Sequence, residues 1–466
     1  MRELPAGWVE TSLESLVTFS IGGIWGLPPD ATTPDAIAVA VMRGADYRHW
    51  AASRAGGAAI RSVPVKAAES RRLGLGDLVV EVSGGGPTQP VGRVVLIDTA
   101  ALQSTTLPLT HSNFCRRVVL SDEVIPQFVY YQLVLKYLEG NTEQFQTATT
   151  NIRNLNFKKY LAESRLAVAP YAEQERIVAV IDEQFSRLDA GVAGLKRVQQ
   201  NLKGMRTAIL DAAVAGRLVS GDESTPTRRI GEVIESLDQG WSPQCERIPA
   251  SDGEWGVIKT SAVQAMRFDD SANKRLPPKM KPREGLEIVP GDLLITRAGP
   301  RARAGVCCLV RDSRSSLMIC DKVYRFRADV NAVLPQYLEL ALNAPASISA
   351  IDRIKTGISD SGVNITQATF HALEIPVPSI KHQADVVKIV EEQLARISKV
   401  ESDIAAVDVR GRRLRSSILS AAFSGGLLSQ DVNDEPATVL IARVARRASA
   451  NRHKPSKAFR RTKTRA

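Results

Sequence analysis

Residues 174–220 align without a gap on residues 383–429 at a constant offset of 209 positions, and 14 of the 47 aligned residues are identical. Gln184/Gln393, Arg187/Arg396, Arg206/Arg415, Ile209/Ile418, Leu210/Leu419 and Gly216/Gly425 all fall in register. A period this long is no solenoid of stacked small repeats; it is a duplicated domain-plus-helix unit. Two like halves on one chain predict a pseudo-twofold object that addresses two similar targets.

The repeated segments read as long amphipathic helices. Apolar positions alternate in steps of four and three over about five heptads, the period of a coiled-coil seam rather than the wider stripe of a helix on a globular core. The seam opens Ile177, Ile181, Gln184, Leu188 in the first copy and Val386, Val390, Gln393, Ile397 in the second. Its polar residue is glutamine both times, as in a device that sets register at some cost in stability. The competing reading is two unrelated surface helices, each lying on its own core. Pro170 and Ser379 precede the helices, and Gly216 and Gly425 stand where a left-handed cap would end them. Helices of this length would reach roughly 65–70 Å.

At 466 residues the chain has room for two globular domains beside the helices. The opening Met1–Trp8 carries no apolar run of the signal-peptide kind, so a cytoplasmic chain is expected. Cys115, Cys245, Cys307, Cys308 and Cys320 show no ligand spacing, so neither a metal site nor a disulfide framework is expected, and no cofactor. The net charge of +11 is unevenly placed, because residues 441–466 hold ten Lys and Arg and no acid. The rest of the chain is close to neutral, and the basic tail is expected to be disordered.

Before each helix lies a mixed segment of short strands and turns, and these segments share a fainter repeat. Gly76-Asp77-Leu78-Val79-Val80 matches Gly291-Asp292-Leu293-Leu294-Ile295, a tight turn feeding a buried strand, and the two aspartates read as turn residues. Gly92-Arg93-Val94-Val95 matches Gly305-Val306-Cys307-Cys308, and Pro126-Gln127-Phe128 echoes Pro335-Gln336-Tyr337. Val41-Met42-Arg43 parallels Val257-Ile258-Lys259, and Asn151-Ile152 with Phe157 echoes Asn364-Ile365 with Phe370. The framework repeats while the residues between do not, as in one scaffold carrying two recognition surfaces.

With these residues the chain resembles the specificity subunits of type I restriction–modification systems. The marks are Leu4-Pro5-Ala6-Gly7-Trp8, the Gly-Asp-Leu strands, the Asn-Ile…Phe segments, the Ala172–Val178 helix start, and Ala208-Ile209-Leu210 through Gly216-Arg217-Leu218. The likeness runs from about residue 4 to 429. Lys381-His382-Gln383-Ala384-Asp385 departs from the usual form, with one residue inserted after Pro378. The resemblance implies an α+β fold: two mixed α/β target-recognition domains separated by two long antiparallel coiled-coil helices. The expected division is 1–168 first recognition domain, 169–220 helix, 221–229 linker, 230–378 second recognition domain, 379–429 helix and 430–466 tail. It further implies that each domain reads half of a split site in double-stranded DNA. The helices would set the spacer and dock two adenine-N6 methyltransferase subunits, with restriction subunits completing the complex.

Catalytic machinery is not legible. Leu27-Pro28-Pro29-Asp30 and Leu276-Pro277-Pro278-Lys279 have the wrong neighbours for an adenine-gripping Asn/Asp-Pro-Pro-aromatic loop, and no GxxxxGK[ST] segment is present. The expected role is therefore non-catalytic. Arginine can fork guanine O6 and N7 while lysine holds phosphates, so the candidate DNA contacts are Arg43, Arg48, Thr88, Gln89 and Arg93 in the first domain. In the second they are Lys259, Arg297, Arg301 and Arg303, the three arginines clustered in one loop. The Gly84–Gly86 run reads as a hairpin turn. The alternative function is a coiled-coil scaffold whose domains bind protein, to be told apart by salt dependence.

Overall fold

The computed structural model describes residues 4–31, 34–86, 89–149, 152–219, 225–357 and 359–452. Two compact units emerge: Met1–Val192 with Asp408–Ala466, and Ala193–Val407.

Each unit is organised on one short, wholly apolar-flanked strand. In the first, Leu78–Glu81 is buried at every position because both of its faces are covered. Leu78 and Val80 point into a core with Trp8, Leu13 and Phe128, while Val79 joins Met42, Tyr47 and Leu109 on the other side. Leu293–Thr296 does the same in the second unit: Leu293 and Ile295 face Tyr337 and Phe370, and Leu294 faces Val257 and Met318. Side chains alternate across a strand, so one strand can seal two cores.

The sheets around these strands repeat in order and in register. The first unit has a four-stranded antiparallel sheet in the order Val17–Gly22, Cys115–Leu120, Leu78–Glu81, Val94–Leu96. The second has Ile234–Gln239, Val323–Ala328, Leu293–Thr296, Cys307–Leu309. A three-stranded sheet in the first unit sets Ala36–Met42 antiparallel to Ala59–Pro64 and parallel to Leu109–His111. Its counterpart sets Gly256–Ile258 antiparallel to Asn273–Arg275 and parallel to Leu317–Met318. Val80 pairs Val94 and Ile295 pairs Cys307, so the Gly92/Gly305 match read from sequence is a match of ladder positions. A Cβ on Gly23 would lie 2.1 Å from the Ser112 carbonyl oxygen, and one on Gly240 would lie 2.3 Å from that of Cys320. Only glycine allows either strand to pass so close to its neighbour.

One sequence echo is displaced. Leu155 N–H donates to the Val82 carbonyl and Ile365 N–H to that of Arg297, both at 2.8 Å. The structural partner of Asn364 is therefore Asn154, opposite Ser83, and not Asn151, which lies outside the described residues. Tyr160 and Phe370 each stand four residues after an N-cap, Asn156 and Thr366, and fill the equivalent buried slot; Phe157 does not. Matching letters can slide by three positions in a loop, but ladder hydrogen bonds cannot.

The repeated helices are Tyr171–Val214 and Ile380–Phe423, 44 residues each, or roughly 66 Å long at the usual rise. Gly216 (φ 69°) and Gly425 (φ 76°) end them in the left-handed conformation. The following N–H groups reach back, Arg217 to Ala212 O at 2.9 Å and Gly426 to Ala421 O at 2.8 Å, a Schellman closure in both copies. The helices contact each other within each unit. In the first, Arg415 stacks 4.8 Å over Phe185 and pairs with Asp189; in the second, Arg206 reaches Glu401 at 3.1 Å.

The seam read from the 4-3 spacing needs correction. Ile177 and Ile181 lie in the first unit's core with Trp8, Phe128, Leu419 and Ala422. Val386 and Val390 lie in the second unit's core with Ile230, Val233 and Tyr337. The helix ends thus rest on globular cores as well as on each other. Ile397 is buried and Gln184, Leu188 and Gln393 are half-buried, while Val198, Met205, Val400, Val407 and Leu414 are 40–53% exposed. Spacing decides which residues share a face, not what covers it.

The tail is also not as expected. Ala437–Arg452 is a helix, and Ala437, Leu440 and Val444 are buried in the first unit's core. Arg443 pairs with Glu123 and Glu435, and Arg447 with Asp122 and Glu123. Three apolar residues at helical spacing outweigh the charge of the intervening arginines once acids stand opposite them. Residues 453–466 lie outside the described residues.

Candidate nucleic-acid interface

In the first unit the strand Ala36–Met42 ends at Arg43, whose backbone N–H donates to Asp46 Oδ2 at 2.7 Å. That turn directs Arg43 and Arg48 toward the Ser83–Gln89 loop. A cleft of about 750 Å³ brings together Arg43, Arg48, Gln89 and Arg93, with Trp25 and Phe114 in its walls. Thr88 lies outside the described residues. Gly84–Gly86 behaves as a turn: Ser83–Gly85 is an edge strand and Gly86 bridges to Gln89.

The three arginines lining this cleft are not equivalent. Arg93 forks Glu81 at 2.8 and 2.6 Å and donates to the Gly44 carbonyl at 2.7 Å, with Glu81 only 2% exposed. A guanidinium held on three sides is a structural pin. Arg43 binds Asp46 and the Gly57 carbonyl, each at 2.9 Å. Among the described residues Arg48 donates only to the neutral Gln89 Oε1, at 2.8 Å. The Arg48–Gln89 pair therefore offers the cleft a cation that, among the described residues, no carboxylate pairs with.

The second unit does not bring its four candidates into one site. Lys259 follows Gly256–Ile258 at the place of Arg43, and its N–H donates to Ala272 O at 2.8 Å. Arg297 donates to the Asp321 carbonyl at 2.9 Å and stacks 5.3 Å over Tyr324. Arg303 donates to the Thr260 and Val263 carbonyls at 2.7 and 3.1 Å. Arg301 sits in a different cleft of about 860 Å³, paired with Asp352 at 3.1 Å and Asp360 at 3.0 Å. Nearness along one loop did not translate into a shared surface, since each guanidinium turns to the acceptor nearest it. Asp360 and Asp352 are distant in sequence, so no local signal announces the pairing. Trp25 and Phe114 were likewise missed, because a lone exposed aromatic has no sequence signature.

The aspartates of the repeated turns hold structure. Asp77 pairs with Arg117 at 2.7 Å and accepts the Gly74 N–H at 2.6 Å. Asp292 pairs with Arg327 at 2.8 Å and accepts the Val289 N–H at 3.0 Å. Among the described residues no group of three or more His, Cys, Asp or Glu is placed to hold a metal ion, and no helix is long and apolar enough to cross a membrane.

No protein-family model matches the chain. It is 35% identical over 197 residues to the specificity subunit of the type I restriction enzyme EcoEI of Escherichia coli, covering 42% of this chain and 33% of that relative. The chain thus spans a third of that relative's length in the match. Against the EcoKI specificity subunit of Escherichia coli K12 the identity is 25% over 373 residues, 78% of this chain and 77% of the relative. Among solved structures, a chain from work on assembly and conformational transition of the type I R-M system superposes with a TM-score of 0.66 at 15% identity, over 92% of this chain and all of that one. The HsdS subunit from Thermoanaerobacter tengcongensis gives 0.50 at 15% identity, over 91% and 98%. The structural likenesses show the fold alone; in sequence, this chain is similar to the specificity subunits of type I restriction enzymes, over part of its length at 35% identity and over most of it at 22–25%.

Proposed function

We propose that the chain is the non-catalytic recognition and scaffold subunit of a type I restriction–modification complex in the cytoplasm. Each globular unit reads one half of a split DNA site. The division proposed is a first recognition domain to residue 168, a second over 230–378, and the two helices between and after them. The helices pair antiparallel, set the spacer, and dock two adenine-N6 methyltransferase subunits; restriction subunits complete the assembly. What supports antiparallel pairing is that Asp189 meets Arg415 while Arg206 meets Glu401, an early segment of one helix with a late segment of the other.

The observation that carries the reading is the repeat itself: two units with the same strand order and register, yet different groups on the walls. Glu81 and Arg93 pair in one unit where Thr296 and Val306 stand in the other. A shared scaffold with divergent contact groups suits two different half-sites on one duplex. Co-expression with a type I methyltransferase subunit, followed by methylome sequencing, tests it. A new split motif with N6-methyladenine on both strands is expected. Stable co-purification of the methyltransferase without any new motif would instead favour a scaffold that binds protein alone.

A further inference from the structure

Residues 271–283 (SANKRLPPKMKPR) carry five basic residues and no acid. The segment is held, not loose. Lys274 lies on the strand Asn273–Arg275, opposite Val257. Leu276 is buried and its N–H donates to Trp255 O at 2.8 Å. Met280 packs on the same core, its N–H donating to Pro277 O at 2.9 Å, and Arg283 N–H donates to Met318 Sδ at 3.2 Å. Pro277, Pro278 and Pro282 restrict the backbone further.

On this fixed track the lysines face water. Lys274, Lys279 and Lys281 are exposed, and among the described residues none has a carboxylate partner. The two arginines are engaged: Arg275 with Glu246 and Glu254, and Arg283 over the Trp241 ring at 4.4 Å. The contrast with Arg297, Arg301 and Arg303, whose guanidinia are bonded inside the unit, is direct. Like charges held together on a rigid segment repel and contribute nothing to the fold; an anionic partner is what they suit. Ammonium groups are point charges, fitted to phosphate oxygens rather than to the two-pronged edge of guanine. The segment also runs beside Lys259, whose N–H bonds Ala272 O.

We infer that Lys274, Lys279 and Lys281 are the DNA-backbone contacts of the second unit, holding phosphates without reading bases. This rests on the DNA-reading role proposed above. Because the loop is ordered before binding, little entropy is lost when the contacts form.

The test compares the full chain with the triple variant Lys274→Gln/Lys279→Gln/Lys281→Gln, by fluorescence anisotropy of a labelled duplex across a salt series. The slope of log affinity against log salt should become shallower by about 2–3 in the variant, near one per lysine. The triple Lys→Arg variant should restore it, and equal melting temperatures show that folding is intact. The methylated motif should be unchanged. An unchanged slope, with the parent chain still binding, overturns the assignment while leaving the DNA-reading role standing. A changed second half-site would overturn the phosphate-only role, and a parent chain that binds no duplex would overturn both.

Discussion

Gln174 Oε1 accepts the backbone N–H of Ile125 at 3.0 Å, tying the start of the first long helix to the start of the helix Pro126–Leu138. Gln383 does the same for Leu334 at 2.8 Å, ahead of Pro335–Asn343. Each glutamine also donates to the carbonyl five residues before it, Ala169 or Pro378, at 2.9 and 2.8 Å, and each is fully buried. Neither N-cap residue offers a side-chain cap, so the buried N–H depends on the clamp.

Gln174→Leu should therefore destabilise the first unit, and Gln383→Leu the second, by about 2–4 kcal/mol each, since the first removes the partner of two backbone groups and the second that of three, the Ala332 carbonyl at 3.1 Å included. Denaturant titration measures this. A loss below about 0.5 kcal/mol would mean that water or a shifted backbone replaces the clamp.

Gly23→Ala and Gly240→Ala should prevent their units from closing, because the added carbon lands against backbone carbonyls that cannot retreat. Gly411→Ala is the contrast: nothing lies within 4 Å of its Cβ position inside a helix, so a gain of roughly 0.5–1 kcal/mol is expected. Thermal melting of soluble protein decides, and ordinary stability of both strand variants would show that the crossings are looser than described.

His111 makes the first unit acid-sensitive. Its ring is fully buried and Nε2 accepts the Arg117 N–H at 3.2 Å. Burial, with Arg117, Arg71 and Arg116 nearby, pushes its pKa down to about 4. The unfolded chain binds this proton near pH 6.5 and the folded one only near 4, so the stability it confers is full above 6.5 and lost as pH falls through 4. The loss amounts to about 3 kcal/mol. His111→Gln keeps an acceptor and should flatten the change in denaturation midpoint between those pH values; an identical pH dependence in the variant would assign the effect elsewhere.

Arg93 and Arg48 line one cleft but should fail differently. Arg93→Met leaves the buried Glu81 unpaired and should cost about 3–5 kcal/mol of stability. Arg48→Ala should leave stability unchanged and weaken binding to the recognised duplex by about 1–3 kcal/mol. Equal effects of both on stability, or none of Arg48→Ala on binding, would contradict the division of roles.

Much of the architecture was legible in the residues. The 209-residue offset, the two capping glycines and the matched Gly-Asp turns follow from local chemistry, and they stand in the structure at equivalent ladder positions. The docked helix Ala437–Arg452 was not legible, because Asp122 and Glu123, which face its arginines, lie about 320 residues away. The candidate contacts divide the same way. Charge and loop position nominated Arg297, Arg301 and Arg303, yet each found an internal acceptor, while the lysines of segment 271–283 pair with no carboxylate among the described residues.

What the residues determined alone was periodicity: which positions share a helix face, where turns fall, and that one scaffold is used twice. Those are short-range properties of backbone sterics and side-chain spacing. Which charges remain available to a partner was decided by tertiary structure. An ion pair forms between whatever residues the fold brings within a few ångströms, whatever their separation along the chain.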